Sequence, residues 1–525
     1  MSTLKLDRTR SRFRKAMSIA PQERFLLMLW AVEALRSGRP DLARRFIQFT
    51  PEQEKQAVGD THAIFPWELE TLAIQSLVAP RQTEGRFYRC EDFGTAGNFT
   101  NLLRRLEDQE FGATSKAKKI DIFNEMHRIG QRQFPWQRGG PNLADFYRPL
   151  YLYGQGRCTE YFAKTHGLTI NDFSLVGFAL FAMFSSLPYA YRPPNLRELE
   201  LTPENIEAAL KLLSIPIADA GGAQRDLVNQ TDAAAWPIAY QPSILRQFPV
   251  LSLGDQPERL TAPVPILVLQ RVTFGLYYDL MGEGGDLRNE IAGRFEQYSA
   301  DFTRALMPGF KVEREYAYAG KRKGVRFDSP DILVEDAGEL AVVIECKATK
   351  QTISAKFSDD PAADPKARYG EIGRGIFQLW RYFAHCRLGL TGRTLTDGTA
   401  GLVLTLDTWL VMARTLQDRV LEIATALADE DPDINAGDRR PIAFAAIQDW
   451  ERLLSQSDEA GVRAALAAVH QDRFIGWLLP NVDQELQGAG RKRKRYPFRP
   501  DEILPWWTRF DSGRDGDDDQ GEAAW

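Results

Sequence analysis

The chain has 525 residues, 44% of them hydrophobic and 26% charged, with a formal net charge of −5 and a pI of about 5.8. This is the composition of a folded globular protein of about two or three domains, and it excludes a disordered, fibrous or collagen-like chain. The acidic balance gives no overall attraction for a polyanion, so a nucleic-acid ligand needs a local basic patch.

Residues 1–17 carry Lys5, Arg8, Arg10, Arg12, Arg14 and Lys15 without the apolar core of a secretory signal. They read as a phosphate-touching arm or, more simply, as a frayed, solvated terminus. From Pro21 onward, helical patterns follow one another at 25–35, 41–49, 67–78, 98–106 and 118–132, separated by turn-rich joints. Asn171 and Asp172 open an apolar helix through Phe184, and the apolar run 175–184 is too short to span a bilayer. Thr202 is placed to cap a helix whose first residue is Pro203. Residues 1–275 therefore read as a mostly helical domain for recognition or partner binding. His62, His127 and His166 are too scattered in it to form a metal cluster. The aromatic residues around Arg148 and Arg157 read as core or partner interface in preference to a base-stacking surface. The four cysteines (Cys90, Cys158, Cys346 and Cys386) form no CxxC and no zinc spacing, which reads as a reduced, cytoplasmic chain.

A glycine-rich joint at 282–285 leads into a helix over 286–306, in which Leu287, Ile291, Phe295, Tyr298, Phe302 and Leu306 recur at steps of three and four. A strand over 310–318 ends in the basic loop Gly320-Lys321-Arg322-Lys323-Gly324, read equally as a phosphate-contacting loop or a solvated turn. The stretch 326–350 then parses as a β-hairpin turning at Asp336-Ala337-Gly338. In its second strand, Val343, Glu345 and Lys347 share one face and Val342, Ile344 and Cys346 the other. Asp331 starts the paired strand within reach of Glu345 and Lys347. Two carboxylates and an amine then converge at a strand end. Hard carboxylate oxygens suit Mg²⁺, and a neighbouring ammonium orients a water or offsets transition-state charge. A phosphodiester is the substrate this chemistry fits.

Residues 354–373 read as a long polar loop that closes over substrate or stays disordered. A helix over 375–386 follows, with Gln378 and Tyr382 four apart on one face and Arg374, Arg381 and His385 on or beside it, while Phe377, Trp380 and Ala384 read as its packed side. A strand over 401–411 and helices over 419–428, 440–454 and 462–479 complete the pattern. The basic run 491–495 reads equally as a nucleic-acid or acidic-partner contact and as a solvated connector, and the acidic tail 511–525 as disordered. No GxxxxGK[ST] phosphate loop and no GxSxG elbow occurs.

Pro330-Asp331 followed by Glu345-Cys346-Lys347 resembles the motif of the PD-(D/E)XK nuclease superfamily. Glu296 within Gly293-Arg294-Phe295-Glu296 is similar to the metal-side glutamate of that family's preceding helix, and Gln378 with Tyr382 is similar to the QxxxY pattern of its RecB-like branch. The resemblance covers 285–415. It lacks the histidine often found ahead of the aspartate and the cysteines of an iron–sulfur cluster. It implies an α/β restriction-endonuclease-like core, a mixed sheet flanked by helices. That core would span 276–415, between the large helical N-terminal domain and a helical C-terminal extension over 416–510. It further implies a Mg²⁺- or Mn²⁺-dependent nuclease acting on DNA in bacterial restriction, phage defence or repair. Asp331 and Glu345 would hold metal with support from Glu296, Lys347 would orient the attacking water, and Gln378 and Tyr382 would position the site. Lys321, Arg322, Lys323, Arg374 and Arg381 would contact nucleic acid. Two other readings stay open. One is a catalytically silent binding or assembly module on the same fold. The other is a nuclease, acting on RNA or gated by a regulatory protein partner or oligomer.

Overall fold

A computed structural model describes residues 2–57, 63–82, 85, 87–117, 122–137, 142–194, 196, 199–255, 257–281, 285–357, 369–407 and 414–508. The chain divides into two compact units. The first comprises Met1–Ile120, Arg132–Arg138 and Tyr153–Gly282, and the second Asp121–Gln131, Gly139–Leu152 and Glu283–Trp525. The second unit therefore takes in short segments from within 1–275, which a linear reading of the chain assigned to one helical domain.

The first unit is helical around a small sheet. Its N-terminus is an ordered helix, α1 (Ser2–Ser18), with Phe13, Ala16 and Met17 buried, which corrects the reading of 1–17 as a frayed, solvated terminus. Three apolar residues on one side of a basic segment suffice to dock it. Helices α2 (Gln22–Arg36), α3 (Pro66–Val78) and α4 (Phe93–Ala117) pack into the same core. The apolar helix α5 (Ile170–Ser186) is capped by Thr169 and buries Phe173, Leu175, Val176, Leu180 and Phe184. Thr202 accepts from the Asn205 amide at 3.1 Å and starts α6 (Pro203–Leu213), as its position before Pro203 predicts. Four short strands pair in the order β1-β4-β3-β2: β1 (Ala190–Tyr191), β2 (Ser214–Pro216), β3 (Val250–Ser252) and β4 (Arg259–Thr261). Strands of two or three residues are too short to show a period of two, so sequence patterning misses them. No single helix among the described residues is long and apolar enough to cross a membrane.

The second unit is built on a mixed five-stranded sheet. Helix α7 (Gly285–Leu306) leads to β5 (Lys311–Arg314), the hairpin β6 (Ala317–Ala319) and β7 (Arg326–Asp328), then β8 (Ile332–Asp336) and β9 (Glu339–Lys347). Helix α8 (Tyr369–Arg387), β10 (Leu395–Thr405), α9 (Arg414–Asp429), β11 (Ile442–Ala446) and α10 (Ile447–Gln456) follow. The order is β11-β10-β9-β8-β5, with β5, β8 and β9 antiparallel and β9, β10 and β11 parallel. The turn between β8 and β9 places Ala337 (φ 51°) and Gly338 (φ 86°) in the left-handed region that a tight hairpin requires.

Helices cover both faces of this sheet. Leu333, Val343 and Val403 pack against Ile372, Ile376, Leu379 and Phe383 of α8 and Val420 and Ala424 of α9. On the opposite face lie α7 and α10, joined by a hydrogen bond from Trp450 Nε1 to Thr303 Oγ1 at 3.0 Å. Residues 442–446 are a strand where the sequence pattern 440–454 suggested helix. The run Ile-Ala-Phe-Ala-Ala after Pro441 is buried on the parallel side of β10, and periodicity alone does not separate a short buried strand from a buried helix. The segment after 415 therefore contributes an edge strand to the sheet. The run 491–495 is partly tied down: Lys494 Nζ donates to the Leu306 carbonyl at 2.7 Å and Arg491 pairs with Asp483, while Tyr496 and Phe498 pack against Tyr147 and Phe302. The tail 511–525 lies outside the described residues.

Candidate active site

In the β8–β9 ladder Ile332 faces Ile344 and Leu333 faces Val343. One further step of that register sets Asp331 opposite Glu345, and residues directly opposed in an antiparallel pair project to the same face. That face looks toward α8. The Asp331 carboxylate is anchored by the Cys346 amide, which donates to Oδ2 at 2.6 Å. Lys347 Nζ donates to Glu345 Oε1 at 2.7 Å and lies 3.4 Å from Gln378 Oε1 on α8. From α7, Glu296 accepts from Arg314 of β5 at 2.8 Å. The structure thus brings Asp331, Glu345, Lys347 and Gln378 together, with Glu296 of α7 near enough to feel the charges of Asp331 and Lys347.

Electrostatics tie these groups into one cluster. Burial, and then the nearby charge of Asp331, push the Glu345 carboxyl up to about 8. The same two causes push Glu296 up to about 7. Asp331 is raised by burial, opposed by the Cys346 amide and the Lys347 charge. Burial pulls the Lys347 ammonium down, but its pairing with Glu345 outweighs this and the group stays charged. Glu345 Oε2 is buried and has no hydrogen-bond partner among the described residues. A buried, unpaired carboxylate oxygen beside two further carboxylates is a costly arrangement that a hard cation relieves. Carboxylate oxygens such as those of Asp331 and Glu345 are of the hard type that suits Mg²⁺ or Mn²⁺. Among the described residues no group of three or more His, Cys, Asp or Glu is gathered to hold a metal ion. Mg²⁺ is commonly held by only one or two carboxylates, with water completing its shell.

No family model, no curated protein and no solved structure matches this chain.

Tyr382 is not gathered with the carboxylates. It is buried, and its hydroxyl lies 3.3 Å from that of Tyr316, with its ring edge-on to Tyr318. His385 is buried as well and bonds Tyr318 through Nδ1 at 2.8 Å, with its ring against Phe327. The β6–β7 hairpin folds over this end of α8 and packs Tyr382 and His385 into the interior. Phe377, read as packed, is only partly buried. In the loop 320–324, Lys321 pairs with Asp433 at 2.6 Å, whereas Arg322 and Lys323 are exposed. Arg374 is exposed one turn before Gln378, and Arg381 lies 5.2 Å from the ring centroids of both Phe327 and Phe377. Of the loop 354–373, residues 353–357 form a short helix and 369–373 begin α8. Asp359, Asp360, Pro361, Lys366 and Arg368 lie outside the described residues.

Three residues of the site escape sequence reading. Arg314 and Glu315 reach it because β5 runs antiparallel to β8, with Arg314 opposite Ile332. Gly375 lets α8 approach the β9 strand: a Cβ there would stand 2.9 Å from Lys347 Cε and 3.2 Å from Glu345 Cγ. A glycine inside an amphipathic helix is the signal that could have found it, because it costs helix stability and so implies close packing. Arg314 and Glu315 carry no such mark, since charged pairs on strands are common.

Proposed function

We propose that this chain is a divalent-cation-dependent phosphodiesterase acting on DNA. The observation that carries the reading is the buried carboxylate of Glu345, one oxygen of which has no hydrogen-bond partner among the described residues, with part-buried Asp331 beside it and the ammonium of Lys347 against it. A cation bound by Asp331 and Glu345 supplies Lewis-acid activation of water and neutralises phosphoryl charge. Lys347 holds its charge beside that position, orients the attacking water through an N–H and offsets the negative charge that builds on the phosphoryl oxygens. Gln378 accepts from the ammonium and keeps it aimed. The Cys346 amide fixes Asp331, so that its other oxygen is left for the cation. Arg314 holds Glu296 on the same cluster. Exposed Arg374, Arg322 and Lys323 supply phosphate contacts, which position a strand without reading its sequence. A role in restriction, phage defence or repair rests on the motif resemblance alone.

One observation favours the alternative of a silent module on the same fold: no set of three metal-ligating side chains is assembled among the described residues. Supercoiled plasmid, linear duplex, single-stranded DNA and RNA incubated with Mg²⁺ or Mn²⁺ decide between them. Wild type is expected to cut DNA, and Lys347→Ala and Asp331→Ala to leave it intact. Equal cutting by all three proteins would assign the activity elsewhere. Metal binding without cleavage of any substrate would favour the silent module.

A further inference from the structure

The first unit contains a cavity of about 360 Å³ between α1, α4 and the segment before α4. Pockets of some 300–1,000 Å³ are the usual size for small-molecule sites. Among the residues lining it are Arg12 of α1, Tyr88, and Asn98, Phe99, Asn101 and Arg105 of α4. Its walls are fixed by packing. Phe13 and Met17 bury α1 against the core, and Arg10 on the same helix pairs with Glu110 of α4 at 2.9 Å. Asn98, Asn101 and Arg105 recur at steps of three and four and so form one stripe of α4.

The chemistry of this lining is one-sided. Among the described residues, the only charged side chains lining it are the guanidinium groups of Arg12 and Arg105. Neither has a hydrogen-bond or ion-pair partner among the described residues, and the same holds for the amides of Asn98 and Asn101. Most other arginines of this unit's helices are matched: Arg10 with Glu110, Arg36 with Glu33, Arg104 with Glu68 and Arg132 with Glu107. Two unmatched guanidiniums facing one cavity attract an anion, and the planar fork of arginine suits phosphate oxygens in particular. Tyr88 adds an aromatic surface to the same cavity. Its ring is held edge-on to buried Phe99 at 5.3 Å between centroids, yet the residue is 43% exposed. A held aromatic ring with an open face is a stacking platform for a base, and free side-chain amides pair with base edges.

We propose that this cavity binds a nucleoside phosphate, with Arg12 and Arg105 on the phosphate, Tyr88 stacked on the base and the amides of Asn98 and Asn101 on its edge. A free mononucleotide and the phosphorylated end of a strand present this same chemistry. The proposal uses no residue of the β8–β9 cluster and stands or falls independently of the nuclease reading.

The test is calorimetric titration of the full chain in EDTA, where metal-dependent cleavage is silent. The probes are the four deoxynucleoside 5′-monophosphates, inorganic phosphate, deoxyadenosine, and a tetranucleotide with a 5′-phosphate or a 5′-hydroxyl. At least one mononucleotide or the 5′-phosphorylated tetranucleotide is expected to bind about tenfold or more tightly than phosphate or the nucleoside alone. Arg12→Ala and Arg105→Ala each weaken it by about tenfold or more. Tyr88→Ala weakens it by about fivefold or more, and Tyr88→Phe keeps the affinity. Both arginines are exposed, so these variants keep the wild-type melting temperature. Mononucleotide binding identifies a free nucleotide as the ligand; binding of the phosphorylated tetranucleotide alone identifies a strand end. Absence of binding at millimolar concentration overturns the proposal. So does phosphate binding as tightly as any nucleotide, or a folded Arg12→Ala/Arg105→Ala double variant that binds like wild type.

Discussion

The second unit buries two clusters of charge, and they are built on opposite principles. In one, the Arg148 guanidinium pairs with Glu451, whose other oxygen accepts from Tyr298 at 2.6 Å, and Tyr496 lies 3.1 Å further on. The Arg148 guanidinium also lies 3.6 Å from Asp145, and both oxygens of the fully buried Glu451 are used. In the other, Glu296, Asp331 and Glu345 face Lys347 and Arg314, and one buried oxygen of Glu345 has no partner among the described residues. Burial pushes carboxyls up in both clusters, so a shifted carboxyl does not by itself mark a site. The difference lies in the carboxylate oxygens: both of those of Glu451 are engaged, whereas Glu345 keeps a buried one that is not. A carboxylate with both oxygens engaged helps to rigidify a core, whereas a buried carboxylate with a spare acceptor is costly to keep.

This contrast is sharpest in what mutation removes. Lys347→Ala is expected to lower plasmid cleavage by about 10³-fold, the scale on which a preorganised transition-state group acts, while the melting temperature stays close to wild type. Unfolding at the same concentration of urea as wild type together with unchanged cleavage would dissolve the distinction. Glu451→Ala is expected to do the reverse. Leaving Arg148 buried without its main partner costs about 3–5 kcal/mol, read as a lower urea midpoint, with per-molecule cleavage preserved in the folded fraction. Gly375→Ala tests the packing behind the active cluster. The added methyl has to displace Lys347 Cε from 2.9 Å, so cleavage is expected to fall about tenfold for a small change in stability. Unaltered activity would mean that the ammonium position is not critical.

A smaller effect is expected in the pH dependence. Glu345 titrates at about 8 in the fold against an ordinary value of 4.5, so the folded state binds the extra proton between these limits. The metal-free protein is then most stable below about pH 4.5 as far as this group is concerned, and loses that stability as the pH rises toward 8. Mg²⁺ binds the ionised form, so its increment in melting temperature is expected to be larger at pH 8.5 than at pH 6. An equal increment at both would count against Glu345 as a ligand. The smallest effect belongs to the basic loop. Replacing Arg322 and Lys323 by Glu is expected to lower the salt dependence of DNA binding by about one counterion per lost contact. Lys321 is already paired with Asp433, so its removal is expected to change stability by less than about 1 kcal/mol.

Much of the active cluster is legible in the chain because it lies along one hairpin. Alternation in β9 puts Glu345 and Lys347 on one face, and the turn at Ala337-Gly338 sets Asp331 across from them. A period of 3.6 puts Gln378 and Tyr382 on one face of α8, and it gives the apolar face of α7 from Leu287 to Leu306. These are local consequences of backbone geometry, and sequence alone determines them. Tertiary structure decided the rest. The β6–β7 hairpin buries Tyr382 and His385, although helical spacing leaves them on the same side as Gln378. Strand pairing across the sheet delivers Arg314 and Glu315, and β11 arrives from beyond the span of the motif. The basic N-terminus becomes a docked helix because three of its residues find a core. Each of these depends on which distant segment covers a given face, and short-range periodicity carries no record of that partner.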